Sequence, residues 1–165
     1  MASYEKQGES DEWYTPAYIF KALGTRFDLD VACPPEGPRY VPAVRWFTKD
    51  QDGLSEDWSG LVWMNPPFGH QNTKRLWLRK FFEHGNGIAL LPDRTSAPWW
   101  QEFAPLADAV LFVSPKVKFE RPDGSIGEQP GTGTTLFAAG AEGAAALLRA
   151  SSLGQTFHPA RRIAA

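Results

Sequence analysis

Along this chain, short apolar runs of strand length alternate with longer stretches in which apolar residues recur every three or four positions. Phe27-Asp28-Leu29-Asp30-Val31-Ala32 alternates with period two and predicts a strand with Asp30 near its C-terminal end. Leu61-Val62-Trp63-Met64, Gly87-Ile88-Ala89-Leu90-Leu91-Pro92 and Ala109 to Val113 read as buried strands, and Thr134 to Ala139 as a closing strand. Pro16 to Leu23, Thr73 to Phe82, Pro98 to Leu106 and Glu142 to Arg149 read as helices. In the first, Thr15 is the expected N-cap, Pro16 the first helical residue, Trp13 and Tyr14 a hydrophobic staple and Gly24 the stop. In the second, Leu76, Trp77, Phe81 and Phe82 are expected inside and Lys74, Arg75, Arg79 and Lys80 outside, with Gly85 past the end. This alternation predicts an α/β fold: a mostly parallel sheet flanked by helices.

The remaining stretches are less regular. Arg39 to Trp58 carries turn signals and reads as a long loop with a short strand near Val44 to Phe47. Lys116 to Gly124 combines period-two alternation with a Pro122-Asp123-Gly124 turn, the mark of a late β-hairpin. Lys116 and Lys118 would share one face and Phe119 the other. Ser125 to Gly133 reads as a mobile lip. Residues 1–10 are polar and expected to be flexible, 11–150 form a single domain, and 151–165 a weakly structured tail carrying Arg161 and Arg162.

Composition narrows the class. A chain of 165 residues suits one domain with a substantial core, and a net charge of −2 with 42% hydrophobic residues describes an ordinary soluble protein. A nucleic-acid partner must then be met by a local basic patch rather than by overall charge. Cys33 is the sole cysteine, which fits a reducing compartment; at an apparent strand end it suits packing better than nucleophilic attack. No apolar run is long enough to span a membrane and no signal-peptide core is present, so a cytoplasmic protein is expected. His70, His84 and His158 are scattered without a ligand motif, so no metal is expected. Neither a Gly-rich phosphate loop nor a serine nucleophile elbow occurs.

The candidate chemistry lies where the Leu61 to Met64 strand runs into Asn65-Pro66-Pro67-Phe68-Gly69. Two prolines fix φ and remove two N–H donors, and Asn65, preceding a proline, is pushed out of the helical region. The rigid loop offers mainly acceptors, the Asn65 side-chain oxygen and the Pro66 carbonyl, beside the Phe68 ring. Such a set suits a planar group bearing an NH2, such as the exocyclic amine of a base. An aryl amine is a poor nucleophile because its lone pair is delocalised; accepting both of its N–H bonds favours a pyramidal nitrogen with the lone pair freed. A proline-stiffened turn whose Asn merely caps backbone is the structural alternative.

Asn65-Pro66-Pro67-Phe68 resembles the catalytic loop of S-adenosylmethionine-dependent amino methyltransferases, usually Asp/Asn/Ser-Pro-Pro-Tyr/Phe/Trp. More specifically, the chain is similar to the phage-type DNA N6-adenine methyltransferases. The motifs that carry this likeness follow in one order: Trp13-Tyr14-Thr15-Pro16, Phe27 to Ala32, Asp52-Gly53-Leu54-Ser55-Glu56-Asp57-Trp58, Asn65 to Phe68, Leu90-Leu91-Pro92 and Lys118-Phe119-Glu120-Arg121-Pro122-Asp123-Gly124. The resemblance spans roughly residues 11 to 140 and implies a Rossmann-like methyltransferase fold.

It also implies S-adenosylmethionine as cofactor and DNA as partner, with Asn65, Pro66, Pro67 and Phe68 catalytic. Trp13, Tyr14, Thr15 and Pro16 would hold the methionine end of the cofactor, and Asp30 and Ala32 would sit beside it. Among Asp50, Asp52 and Asp57, Asp52 is the first choice for the cofactor's adenine or ribose. Phe119 would be a second stacking ring at the target-base pocket, and Arg94, Lys116, Lys118 and Arg121 would contact DNA. Plainer roles stand beside these: a strand-end acid at Asp30, a solvated acidic loop, a core aromatic at Phe119. Two departures are visible, Pro34-Pro35-Glu36-Gly37-Pro38 where many methyltransferases carry a Gly-rich turn, and Phe68 where many relatives carry Tyr. N4-cytosine methylation, methylation of an RNA or protein amide nitrogen, and a catalytically silent nucleic-acid-binding module are the alternative functions.

Overall fold

The computed structural model describes residues 13–67, 71–128 and 131–160. Its helices are α1 (Ala17–Leu23), α2 (Gln71–His84), α3 (Pro98–Phe103) and α4 (Gly140–Arg149). Its strands are β1 (Phe27–Asp30), β2 (Ala43–Trp46), β3 (Val62–Met64), β4 (Gly87–Pro92), β5 (Ala109–Val113), β6 (Thr134–Ala139) and β7 (Gly154–Phe157). They form one seven-stranded sheet in the order β2-β1-β3-β4-β6-β5-β7.

The fold is α/β as expected, but the sheet is mixed rather than mostly parallel. The pairs β2–β1, β1–β3 and β3–β4 are parallel, whereas β4–β6, β6–β5 and β5–β7 are antiparallel with longer ladders. The reason lies in the connection after β5. A parallel neighbour requires a crossover that carries the chain back to its starting end. The described part of 114–133 holds no helix, so the chain re-enters from the end where β5 finished and β6 runs back between β4 and β5. The pairings nevertheless leave β1 to β5 pointing one way, with β6 and β7 reversed. The chain therefore leaves β1, β2, β3, β4 and β5 at a single edge of the sheet.

Period-two alternation sends neighbouring strand residues into two cores. On one face Phe27, Trp63, Ile88, Leu111 and Leu136 pack with Ile19, Phe20 and Leu23 of α1 and Leu147 of α4. On the other, Leu29, Val62, Met64 and Leu91 pack with Trp77, Leu78 and Phe81 of α2 and Trp99, Trp100 and Phe103 of α3. Each such buried side chain contributes roughly 1.5–3 kcal/mol. These two layers hold the strand ends in fixed register.

Several local expectations change. Thr15 does not cap α1: Pro16 occupies the N-cap position and no side chain caps the helix, while Gly24, at φ 57°, closes it by donating to the Phe20 carbonyl. In α2, Leu76 is exposed and Leu78 takes the inward place, because the helix presents 77, 78 and 81 to the sheet. The hairpin at Lys116 to Gly124 contracts to isolated bridges, Glu120 with Tyr14 and Glu120 with Ile126. Its alternation survives, with Val117 buried between exposed Lys116 and Lys118. The lip is tied at Gly127, whose N–H donates to the Phe119 carbonyl; Gln129 and Pro130 lie outside the described residues. The tail is structured as far as β7, which pairs with β5 after a short 3-10 turn at Ser151–Leu153. Residues 1–12 and Arg161 and Arg162 lie outside the described residues.

Candidate active site

β3 delivers the loop. Its residues are fully buried, Asn65 is half-buried, Pro66 buried and Pro67 exposed, so the chain passes from core to surface within three residues. Phe68 lies outside the described residues. The Asn65 side-chain Nδ2 donates to Thr15 Oγ1 at 3.4 Å. The register of β1 against β3 pairs Asp30 with Trp63, which places Asp30 and Asn65 on adjacent parallel strands at the same edge.

Asp30 is 2% exposed and its Oδ1 accepts the Ala32 N–H at 3.2 Å. Burial raises its pKa to about 7, opposed by that backbone hydrogen bond. Pairing continues past it on both sides: the Phe47 N–H donates to the Asp30 carbonyl and the Cys33 N–H to the Phe47 carbonyl, while the Val31 N–H donates to the Trp63 carbonyl. The Cys33 thiol is buried and pushed well above its ordinary pKa, mainly by desolvation, which suits packing rather than nucleophilic attack.

The Asp52 to Trp58 motif is a loop that closes on itself. Asp52, at φ 51°, accepts the Leu54 N–H on Oδ1 and the Ser55 hydroxyl on Oδ2, an arrangement that holds the turn. Gly53 lies so close to the Val31 carbonyl that a Cβ would collide with it, and the Trp77 ring is in tight contact beside it. Trp58 Nε1 donates to the Gly53 carbonyl at 2.7 Å, and its ring stacks on Trp77. The glycine thus docks the acidic loop against the chain just after Asp30. Asp50 and Asp57 are exposed in the same stretch.

The N-terminal segment acts as a strap. Tyr14 is buried, exchanges two backbone hydrogen bonds with Glu120, and donates its hydroxyl to Glu36 at 2.8 Å. Burial first, then Glu36, raises the Tyr14 phenol to about 12, while the same bond lowers Glu36. Arg39 lies 3.9 Å from the centroid of the Tyr14 ring, pairs with Glu120 at 3.0 Å and donates to the carbonyls of Arg121 and Pro122. Trp13 receives the Arg121 guanidinium over its ring at 5.0 Å and packs on Gly127. Arg39, Glu36 and Glu120 carry no local signal in the sequence: Glu36 meets its partner 22 residues away, and Arg39 and Glu120 meet across 81.

On the expected substrate side, Arg94, Lys116 and Lys118 are exposed on segments leaving β4 and β5 at the same edge as Asn65. Lys116 also donates to the Gly131 carbonyl at 3.3 Å. The preceding residue to Arg94, Asp93, accepts the Thr135 hydroxyl and donates its N–H to Gly133, which anchors that segment. Phe119 is partly buried against the first core, so the core-aromatic reading describes its placement. Arg121 is engaged with Trp13, Ser125 and Ile126. On α2, Lys80 donates to Leu54 and Glu56 and covers Trp58, and Arg75 pairs with Glu102. No group of three metal-ligating side chains occurs among the described residues, and no described helix is long and apolar enough to cross a membrane.

A desolvated carboxylate beyond a parallel strand fits a ligand that brings positive charge or hydroxyl donors, and ligands of open α/β sheets bind at that strand end. The Asp30 carboxylate at the end of β1 is the acceptor such a ligand would meet there. Searches of curated proteins and of solved structures return no match. A family model described as DNA N-6-adenine-methyltransferase (Dam) matches residues 2–140.

Proposed function

The chain belongs to the DNA N-6-adenine-methyltransferase (Dam) family, and on that premise we propose that Asn65, Pro66, Pro67 and Phe68 form its catalytic loop and that Asp30 and Ala32 hold S-adenosylmethionine beside it. The enzyme methylates the N6 amine of adenine in DNA. The observation that carries the site assignment is the β1–β3 register, which puts buried Asp30 next to the strand that leads into Asn65.

The loop works by holding acceptors still. Pro66 and Pro67 restrict the backbone, so the Asn65 Oδ1 and the Pro66 carbonyl keep their positions while the amine reorganises. Both accept N–H bonds of the target amine, which draws the lone pair out of the ring. Phe68 supplies a face on which a flipped adenine stacks. Held beside Asp30 and Ala32, S-adenosylmethionine would supply an electrophilic methyl carbon to N6 and would take the electron pair of the broken C–S bond onto sulfur. Neither an amide nor a carbonyl takes a proton, so the surplus N6 proton passes to water. Asp30 contributes charge at the donor's end of the site.

The parallel half, β2-β1-β3-β4, supports a Rossmann-like origin for the site. Arg94, Lys116 and Lys118 at the same edge are the candidates for DNA phosphate, and Asp52, held in its own turn next to Gly53, is the candidate for the cofactor's adenine or ribose. The DNA substrate and the single, buried Cys33 support a cytoplasmic setting, and the order of the motifs supports the phage-type branch. Asn65→Ala, assayed with labelled cofactor on DNA followed by nucleoside digestion and mass spectrometry, is expected to abolish N6-methyladenine while cofactor affinity stays within about threefold of wild type. Wild-type turnover in that variant would remove the loop from the chemistry.

A further inference from the structure

We propose that Thr15 is a positioning residue: its hydroxyl oxygen engages the Asn65 amide nitrogen and thereby holds the side chain in place for the substrate. The proposal rests on the catalytic reading of Asn65. An asparagine amide has two ends of nearly equal shape and opposite hydrogen-bonding character, the oxygen accepting and the nitrogen donating. Only the oxygen can take a hydrogen from an N6 amine. A flipped amide would set its own N–H against the substrate's N–H.

In the structure the nitrogen end is the one that meets Thr15. Nδ2 of Asn65 donates to Thr15 Oγ1 at 3.4 Å, across 50 residues of sequence. Thr15 is 5% exposed, yet its side chain does not cap α1, the task its sequence context predicts. A buried hydroxyl excused from capping is available for another partner, and Asn65 is that partner.

Thr15 is also held from both sides. On one side Tyr14 is fixed by its paired backbone bonds to Glu120 and by its hydroxyl on Glu36. On the other, Pro16 leads into α1, whose Ile19, Phe20 and Leu23 are buried in the core. The hydroxyl is therefore carried by backbone that does not shift to follow a rotating amide. With Nδ2 occupied, Oδ1 is the end that remains for the amine, and the orientation is set before substrate arrives.

Thr15→Val keeps the shape and removes the acceptor; Thr15→Ser keeps the acceptor. On the full chain at saturating S-adenosylmethionine, Thr15→Val is expected to lower kcat by about tenfold or more. Thr15→Ser is expected to stay within roughly threefold of wild-type kcat. A Thr15→Val enzyme with kcat within about twofold of wild type overturns the proposal, as does a Thr15→Ser enzyme equally impaired. The unaltered chain offers a reading that no variant's folding can obscure. One Asn65 side-chain amide proton is expected to exchange at least about tenfold more slowly than those of exposed side-chain amides, and equally fast exchange of both protons overturns the proposal. Failure of the catalytic reading looks different: Asn65→Ala would then keep its turnover whatever Thr15→Val does.

Discussion

The guanidinium of Arg39 sits 3.9 Å from the centroid of the Tyr14 ring while holding Glu120 at 3.0 Å, so one cation joins the N-terminal strap, the turn after β1 and the 119–127 loop. Its remaining N–H groups reach the carbonyls of Arg121 and Pro122. A planar fork can serve a ring face, a carboxylate and two carbonyls at once; an ammonium cannot. Arg39→Ala is expected to destabilise the protein by about 1–3 kcal/mol, which lowers Tm by roughly 2–4 °C per kcal/mol. Arg39→Lys should recover less than half of that loss. Thermal denaturation of the three proteins decides it, and an unchanged Tm in Arg39→Ala would show that the strap holds without this cation.

Asp30 gives a pH dependence of defined sign. Its carboxyl titrates at about 7 in the folded chain, above the ordinary aspartate value of 3.8, so the native state binds the extra proton. Stability of the ligand-free protein is therefore highest below about pH 4 for this group and falls as pH rises toward 7, with the penalty complete above that. A cationic or hydroxyl-donating ligand favours the ionised form, so cofactor affinity should move in the opposite direction and rise through pH 7. Asp30→Asn is expected to flatten both profiles and to be more stable than wild type at pH 8. Calorimetry and thermal melts between pH 5.5 and 8.5 measure the two trends, and a cofactor affinity independent of pH in wild type would remove Asp30 from the site.

Gly53 tests how the acidic loop is placed. Any Cβ there strikes the Val31 backbone carbonyl and crowds the Trp77 ring. Gly53→Ala should cost about 1–3 kcal/mol through overpacking and shift the Asp52 turn off the end of β1. The expected result is a lower Tm with weakened cofactor affinity, whereas Asp57→Ala, at an exposed position of the same loop, should leave both unchanged. Equal effects of the two substitutions would argue against a docked loop.

How much of this was legible in the sequence depends on the range of the interaction involved. Ala109 to Val113 and Thr134 to Ala139 are found where their apolar runs lie, because each run is buried along its length. β7 was missed: Gly154-Gln155-Thr156-Phe157 has no apolar run, and it becomes a strand only because β5 offers an unpaired edge. The direction of β6 was likewise invisible, since it depends on whether 114–133 recrosses the sheet rather than on any residue within β6. At the site, Asn65-Pro66-Pro67 announces itself because the prolines act locally. Thr15 was read as a cap because its helix is adjacent, while its actual partner lies across the fold. Arg39 had no local signal of any kind, and its partner Glu120 is equally remote.

The substrate side makes the last prediction, and it follows from charge alone. The chain carries a net charge of −2, so attraction to DNA has to come from cations concentrated at the strand-end edge. Lys118 is exposed there, beside buried Val117, which fixes the backbone and directs the lysine outward. A lysine that neutralises one phosphate releases condensed counterions, and each such contact steepens the dependence of log K on log salt by about one unit on duplex DNA. Lys118→Ala should therefore weaken DNA binding, reduce that slope by about 1, and do so equally for substrates of different sequence, because a phosphate contact carries no base information. Cofactor affinity in the absence of DNA should not change. Fluorescence anisotropy of labelled duplexes across a salt series measures the slope, with Arg79→Ala on the exposed face of α2 as the comparison. A slope unchanged in Lys118→Ala and reduced in Arg79→Ala would move the DNA from the strand-end edge to the helical face.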